Sequence, residues 1–261
     1  MSVLHAIQPL YSLSGLVIGF LVGMTGVGGG SLMTPLLILV FGIHPQTAVG
    51  TDLLYASITK SVGTGVHGFK KSVDWPVVMR LCAGSVPAAA LSLWFLHSLG
   101  MPSATTSRII SVTLGIALLL TAPSVLFREK IKAWASRNTR PLSPTTTSLL
   151  TVILGFVLGV LVSISSVGAG AIGVTVLVLL YPSIPTSRIV GSDIAHAVPL
   201  TLIAGFGHWL MGAVNVPMLL SLLLGSIPGI ILGSLFTGHV RESVQRSTLA
   251  IVLLVVGLRL I

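Results

Sequence analysis

Charge is what this sequence has least of. Charged residues make up 7% of the 261, whereas the surface of a soluble globular domain needs about 25%, so no water-facing exterior can be built from them. Cysteine is nearly absent too: Cys82 stands alone, which excludes an intramolecular disulfide and any CxxC redox or zinc centre. No lysine or arginine precedes Lys60, so the N-terminus lacks the basic start of a secretory signal, and the first apolar segment is expected to be retained. There is no GxxxxGKS loop either, so nucleotide hydrolysis has no support and no cofactor is expected.

The chain is 53% hydrophobic with a mean hydropathy of +1.05, the composition of an all-α polytopic membrane protein. Its net charge of +9 does not point to nucleic acid, because the basic residues are scattered through short loops and form no single face. The cytoplasmic lysine and arginine bias explains them, with attraction of an anionic substrate as a second effect.

The apolar segments read as 11–25, 31–42, 47–66, 75–97 and 104–127, then 148–165, 171–181, 188–209, 215–237 and 244–260. Two glycine clusters interrupt them, Thr25 to Ser31 (TGVGGGS) and Ser166 to Ala171 (SVGAGA). Glycine costs about 1 kcal/mol in a helix interior, so each cluster is a helix break. The segments that follow are short for the ~20 residues of a full span. Backbone freed inside a bilayer is tolerated only where protein or a water-filled cavity surrounds it, which makes matched breaks in two halves a pointer to a transporter's binding site.

The halves do match. Val27-Gly28-Gly29-Gly30 aligns with Val167-Gly168-Ala169-Gly170, and after one inserted residue Val49-Gly50-Thr51-Asp52 aligns with Val190-Gly191-Ser192-Asp193. The same register pairs His67 with His208, Pro76 with Pro217 and Gly84-Ser85-Val86-Pro87 with Gly225-Ser226-Ile227-Pro228. The expected organisation is a first transmembrane repeat at 1–127, a basic cytoplasmic linker at 128–147 and a second repeat at 148–261, each repeat a glycine-broken helical hairpin plus three transmembrane helices. If each glycine pair is a hairpin, the repeats are inverted. Lys70, Lys71, Arg80, Arg128, Lys130, Lys132, Arg137, Arg140, Arg188, Arg241 and Arg246 then share one side, against Arg108 and Arg259 on the other. That division fits the positive-inside rule better than a continuous-span reading, and it puts both termini outside.

In such a hairpin the new helix after each break starts near Ser31 and near Ala171, where unpaired N–H groups and the positive end of the helix dipole favour an anion. Gly28, Gly29, Gly30, Ser31, Gly168, Ala169, Gly170 and Ala171 are therefore candidate substrate contacts; the competing reading is close helix packing through small residues. Thr51 and Ser192 are candidate donors to the anion, and Lys60 a candidate countercharge or a snorkelling lysine. Asp52 and Asp193 are candidates for proton coupling, since acidic residues inside membrane segments are functional by default, or else interfacial helix caps. His196 could also carry a proton. His67 and His208, near segment ends, read as interfacial anchors, Trp75, Trp94 and Trp209 as belt aromatics, and Pro87 and Pro228 as matching kinks.

The stretch GLVIGFLVGMTGVGGGSLMTPLLILVFGIHPQTAVGTDLL, repeated as GFVLGVLVSISSVGAGAIGVTVLVLLYPSIPTSRIVGSDIA, resembles the sulfite exporter TauE/SafE family, also called the 4-toluene sulfonate uptake permeases. The resemblance covers nearly the whole chain. It implies a multi-pass bacterial inner-membrane transporter, not an enzyme, whose partner besides the lipid bilayer is a small sulfur-containing anion, sulfite or an organosulfonate. Ala169 replaces the glycine found at Gly29, so the tips need not contribute equally. An anion channel or facilitator is the alternative, with an intramembrane aspartyl protease using Asp52 and Asp193 a remote one. Direction, coupling ion and oligomeric state stay open, a homodimer being compatible.

Overall fold

The computed structural model describes residues 8–25, 30–69, 73–100, 103–138, 142–235 and 242–260. Among them every regular element is a helix. The first half contains α1 (Pro9–Thr25), α2 (Gly30–Leu39), α3 (Pro45–Phe69), α4 (Trp75–Ser98) and α5 (Ala104–Leu126). After α6 (Arg128–Asn138) the same order returns as α7 (Pro144–Ser165), α8 (Ile172–Leu180), α9 (Thr186–Leu210), α10 (Val216–Leu235) and α11 (Glu242–Leu260). Five stretches are long and apolar enough to cross a bilayer: Trp75–Ser98, Ala104–Leu126, Pro144–Ser165, Thr186–Leu210 and Val216–Gly233. Large apolar side chains such as Leu13, Leu149, Phe156, Leu224 and Leu254 face outward, as a lipid-bathed surface requires.

Four helix starts carry local side-chain caps. The Ser103, Ser143 and Asp74 side chains accept the N–H of Thr106, Thr146 and Val77, and Asn215 Oδ1 accepts the Met218 N–H at 3.0 Å. Because Ser143 and Pro144 form an N-cap and first-turn pair, α7 begins inside the stretch assigned to the linker. The basic residues before it form α6, whose Trp134 is exposed and whose Lys130 ammonium sits 5.6 Å from the Phe127 ring centroid. Pro87 and Pro228 lie within continuous α4 and α10.

Packing follows the sequence repeat. Gly15 and Gly19 of α1 lie against the backbone of Leu222 and Ser226 in α10, so the two helices run in the same direction. Their counterparts Gly155 and Gly159 of α7 lie against Leu81 and Ser85 of α4 in the same way. The matched Gly84 and Gly225 close these pairs from the other side, on Val152 and Ser12. Between the two pairs α3 meets α9, with Leu54 on Gly205 and Gly50 on His208, an antiparallel crossing. Around this crossing Val49, Leu53, Ala89, Leu96, Ile110, Val162, Leu200 and Ala204 form one buried apolar cluster.

A methyl group at Gly84 or Gly225 would overlap the facing backbone carbonyl, and neither backbone can yield without parting the helices. Gly84→Ala and Gly225→Ala should each destabilise by about 1–3 kcal/mol, read as a lowered unfolding temperature in detergent. Gly257→Ala, which meets chiefly the Leu119 side chain, should cost less.

Candidate functional site

The second glycine break is fully described. α7 ends at Ser165, and the chain turns at Ser166, whose φ of 61° makes it the one non-glycine residue with left-handed backbone among those described. Gly168 and Gly170 follow at φ 127° and 111°, angles that an L side chain rarely adopts. Ser165 Oγ accepts the N–H of Val167 at 3.2 Å and ties the turn down. α8 then starts at Ile172 with Ala171 at its N-cap and no side-chain capping bond, unlike α4, α5 and α7. The α9 start likewise has no side-chain cap, and at α8 the Gly173 N–H donates to the Gly168 carbonyl at 3.4 Å while the Asp193 carboxylate lies beside the positive dipole end. At the first break α2 starts at Gly30; Gly28, Gly29 and the side chain of Ser31 lie outside the described residues.

Asp52 and Asp193 are both buried, at 0% and 1% exposure, and both sit within long helices. Neither is the N-cap of its own helix; at α4 and α10 that role falls to Asp74 and Asn215. The Thr34 hydroxyl of α2 donates to Asp52 Oδ2, while Oδ1 has no hydrogen-bond partner. The Ser166 hydroxyl from the opposite half and the Thr34 backbone N–H are also directed at this carboxylate. Asp193 is served differently. The Gly170 N–H points at its carboxylate, and its Oδ1 rests where a side chain on Gly173 would be. Lys60 of α3 is part-buried, and its charge acts on both carboxylates and on His196; among the described residues it forms no direct ion pair with either aspartate.

Thr51 and Ser192 are engaged elsewhere, in a reciprocal arrangement. Thr51 Oγ1 accepts the N–H of Asn215 at 3.1 Å, and Ser192 Oγ accepts the N–H of Asp74 at 2.7 Å. Each half therefore holds the turn between two helices of the other. The two turns differ in charge, since Asp74 also pairs with Arg188 at 3.4 Å and Asn215 is neutral.

His196 is buried, with Nε2 2.9 Å from Ser85 Oγ and Nδ1 unpartnered. The repeat places Tyr55 at the matching position, facing Ser226. His208 is 0% exposed, with Nε2 2.9 Å from the Ser163 carbonyl, so it is no interfacial anchor. Its Cβ and the Ala213 carbonyl lie against Gly50 at the α3–α9 crossing, where a side chain would not fit. The side chain of His67 lies outside the described residues. Trp75, Trp94 and Trp209 are exposed.

The family model for the sulfite exporter TauE/SafE matches residues 11–260. The chain belongs to the TauE/SafE family. It is 39% identical to the "Probable membrane transporter protein YjnA" of Bacillus subtilis (strain 168), over 95% of this chain and 98% of the relative. Similarity extends to the "Probable membrane transporter protein YdhB" of the same organism, 28% identical over 94% of this chain and 96% of that one. It also extends to MJ0441 of Methanocaldococcus jannaschii, likewise named a probable membrane transporter protein, 25% identical over 96% and 94%. No solved structure gives a match. This TauE/SafE member is thus a multi-pass transporter of the inner membrane, not an enzyme.

Sequence reasoning missed Thr34, Tyr55, Ser85, Ser166 and Ser226. The repeat register carried the signal, because it aligns Thr34 with Thr175, Tyr55 with His196 and Ser85 with Ser226. Ser166 has no such signal, since Gly26 occupies the matching place.

Removing either reciprocal hydroxyl leaves a part-buried backbone N–H without its acceptor. Thr51→Ala and Ser192→Ala should each destabilise by about 1–3 kcal/mol, and the double variant should lose the sum, because the bonds share no partner. Thermal unfolding in detergent measures all three.

Proposed function

We propose that this TauE/SafE member moves sulfite or an organosulfonate by alternating access, binding it at the two glycine breaks. The observation that carries the reading is the uncapped start of α8 at Ala171, set beside the buried Asp193 and within the field of Lys60. A helix start without a side-chain cap, its dipole and a lysine suit an anion with several acceptor oxygens, which would displace the Asp193 carboxylate from the Gly170 N–H, and the family description supplies sulfur as its centre. Gly168, Ala169, Gly170 and Ala171 give the backbone donors on one side. Gly28, Gly29, Gly30 and Ser31 give them on the other, and Lys60 is the countercharge. Thr51 and Ser192 act by holding the turns at Asn215 and Asp74 in place.

The halves, 1–127 and 148–261 around the basic linker, act as inverted repeats on this reading. The antiparallel crossing of the matched helices α3 and α9 supports it, because a two-fold axis relating antiparallel helices runs across them and hence in the membrane plane. Rocking one half against the other then exposes the site to each side in turn. Two buried carboxylates beside one ammonium leave a negative charge to neutralise, so the coupling ion is sought at Asp52 and Asp193, with His196 as a further proton carrier.

Reconstituted protein should take up labelled sulfite or an aromatic sulfonate saturably; folded protein that takes up neither overturns the cargo. Lys60→Met should raise the half-saturation concentration about tenfold, the loss of roughly 1.4 kcal/mol, and an unchanged value removes Lys60 from the site. Gly170→Ala, straining a backbone at φ 111° by about 1–3 kcal/mol, should abolish uptake by inserted protein.

A further inference from the structure

The start of α8 already holds an oxyanion, and it belongs to the chain itself. Asp193 is 1% exposed, the Gly170 N–H is directed at its carboxylate, and its Oδ1 lies where a side chain on Gly173, the second residue of α8, would project. The positive dipole end and the backbone N–H groups of a first helical turn are the donors that a free oxyanion would use. The repeat register pairs Gly173 with Leu32, so the bare backbone that admits the carboxylate is a feature of the second half.

The two buried aspartates are held in different ways. Asp52 accepts the Thr34 hydroxyl, and the Ser166 hydroxyl and the Thr34 backbone N–H are directed at it as well. Thr175, which the register pairs with Thr34, turns its hydroxyl instead to the Ser124 carbonyl at 3.5 Å. Among the described residues no side chain donates a hydrogen bond to Asp193; one backbone N–H and the charges of Lys60 and Arg128 act on it. Asp52 could not leave without stranding the buried Thr34 hydroxyl, a cost that Asp193 does not meet.

We propose that Asp193 is a resident competitor, whose carboxylate occupies the oxyanion seat at the α8 start and exchanges with the head group of an incoming sulfite or sulfonate. The inference rests on the reading of the glycine breaks as the anion site and deepens it by naming what the anion must expel. One oxyanion replaces another, so the buried helix start is never left without an acceptor. The released carboxylate stays in the field of Lys60, whose charge already acts on it. Removing that carboxylate therefore tightens anion binding, the opposite of what loss of a substrate ligand would do.

The test is anion-dependent thermal unfolding of the purified full chain in detergent, with sodium sulfite or sodium methanesulfonate titrated against sodium chloride at one pH and ionic strength. Asp193→Asn keeps the shape of the side chain and removes its charge, so the concentration giving half of the anion-dependent shift should fall about tenfold. Gly173→Ala keeps the acid but puts a methyl group where Oδ1 lies, against side-chain atoms of Asp193 and Leu158 that can yield. It should fold and move that concentration in the same direction, and it decides the matter alone if Asp193→Asn does not fold. The double variant should bind no more tightly than Asp193→Asn, because no charged competitor is left to expel. Anion binding that Gly173→Ala leaves unchanged or weakens, whatever it does to stability, overturns the proposal, and so does the absence of any anion-dependent shift in every protein. Uptake measured in parallel keeps the two readings apart. Tighter binding in the variants without uptake by the parent chain would sink the transport of this cargo and keep the exchange; saturable uptake with no tightening would do the reverse.

Discussion

A helix that stops inside a membrane leaves backbone N–H and C=O groups that lipid cannot satisfy, and the organisation of this molecule follows from where those groups go. At the second break the turn is held by Ser165 and by glycines at φ 127° and 111°. The two broken ends have opposite character. The end of α7 presents carbonyls beside Ser166 and Asp52, while the start of α8 presents N–H groups beside Asp193. One interruption thus sets the negative end of one helix dipole and the positive end of another a few residues apart. Surrounding helices bury both, which makes the electrostatics strong and the missing partners costly.

Duplication builds the scaffold, and departures from it specialise the site. Matched glycines bring α1 onto α10 and α7 onto α4 with the same backbone contacts, leaving α3 and α9 to cross at the centre. Against that background the differences stand out: Ser166 against Gly26, His196 against Tyr55, Asp74 against Asn215. Each replaces a neutral or featureless group on one side by a polar or charged one on the other. A strictly symmetric interior would treat the two membrane faces alike, and these substitutions give the halves different side chains at equivalent places.

Helix positions were legible because apolar runs, glycines and cap residues are local signals, and segment ends agree with the helices to within a few residues. The buried aspartates were legible by their chemistry, since acidic residues are rare among so few charges. Their partners were not. Whether Thr51 meets an anion or the Asn215 N–H depends on a loop from the other half, and nothing near Thr51 in the chain encodes it. His208 misled for a similar reason: its place near a segment end suggested water, but the ring is buried with Nε2 on the Ser163 carbonyl. Local sequence fixes the helix, whereas side-chain partners across the repeat interface are set by the way the halves close on each other.

The reciprocal hydrogen bonds bear on how the halves could move. Thr51 and Ser192 stand at matching positions on antiparallel helices, so the turns they hold, at Asn215 and Asp74, lie toward opposite ends of the α3–α9 crossing. Rocking about that crossing would separate the halves at one end and press them together at the other, so each opening would break one bond and keep its counterpart. Because the Asp74 turn carries the added ion pair with Arg188, the two openings would differ in cost. An exposed ion pair contributes little, about 0–1 kcal/mol, and Arg188 is half exposed. A bias of that size would tilt the populations of two states by a few-fold without locking either, as the proposed alternating access would require.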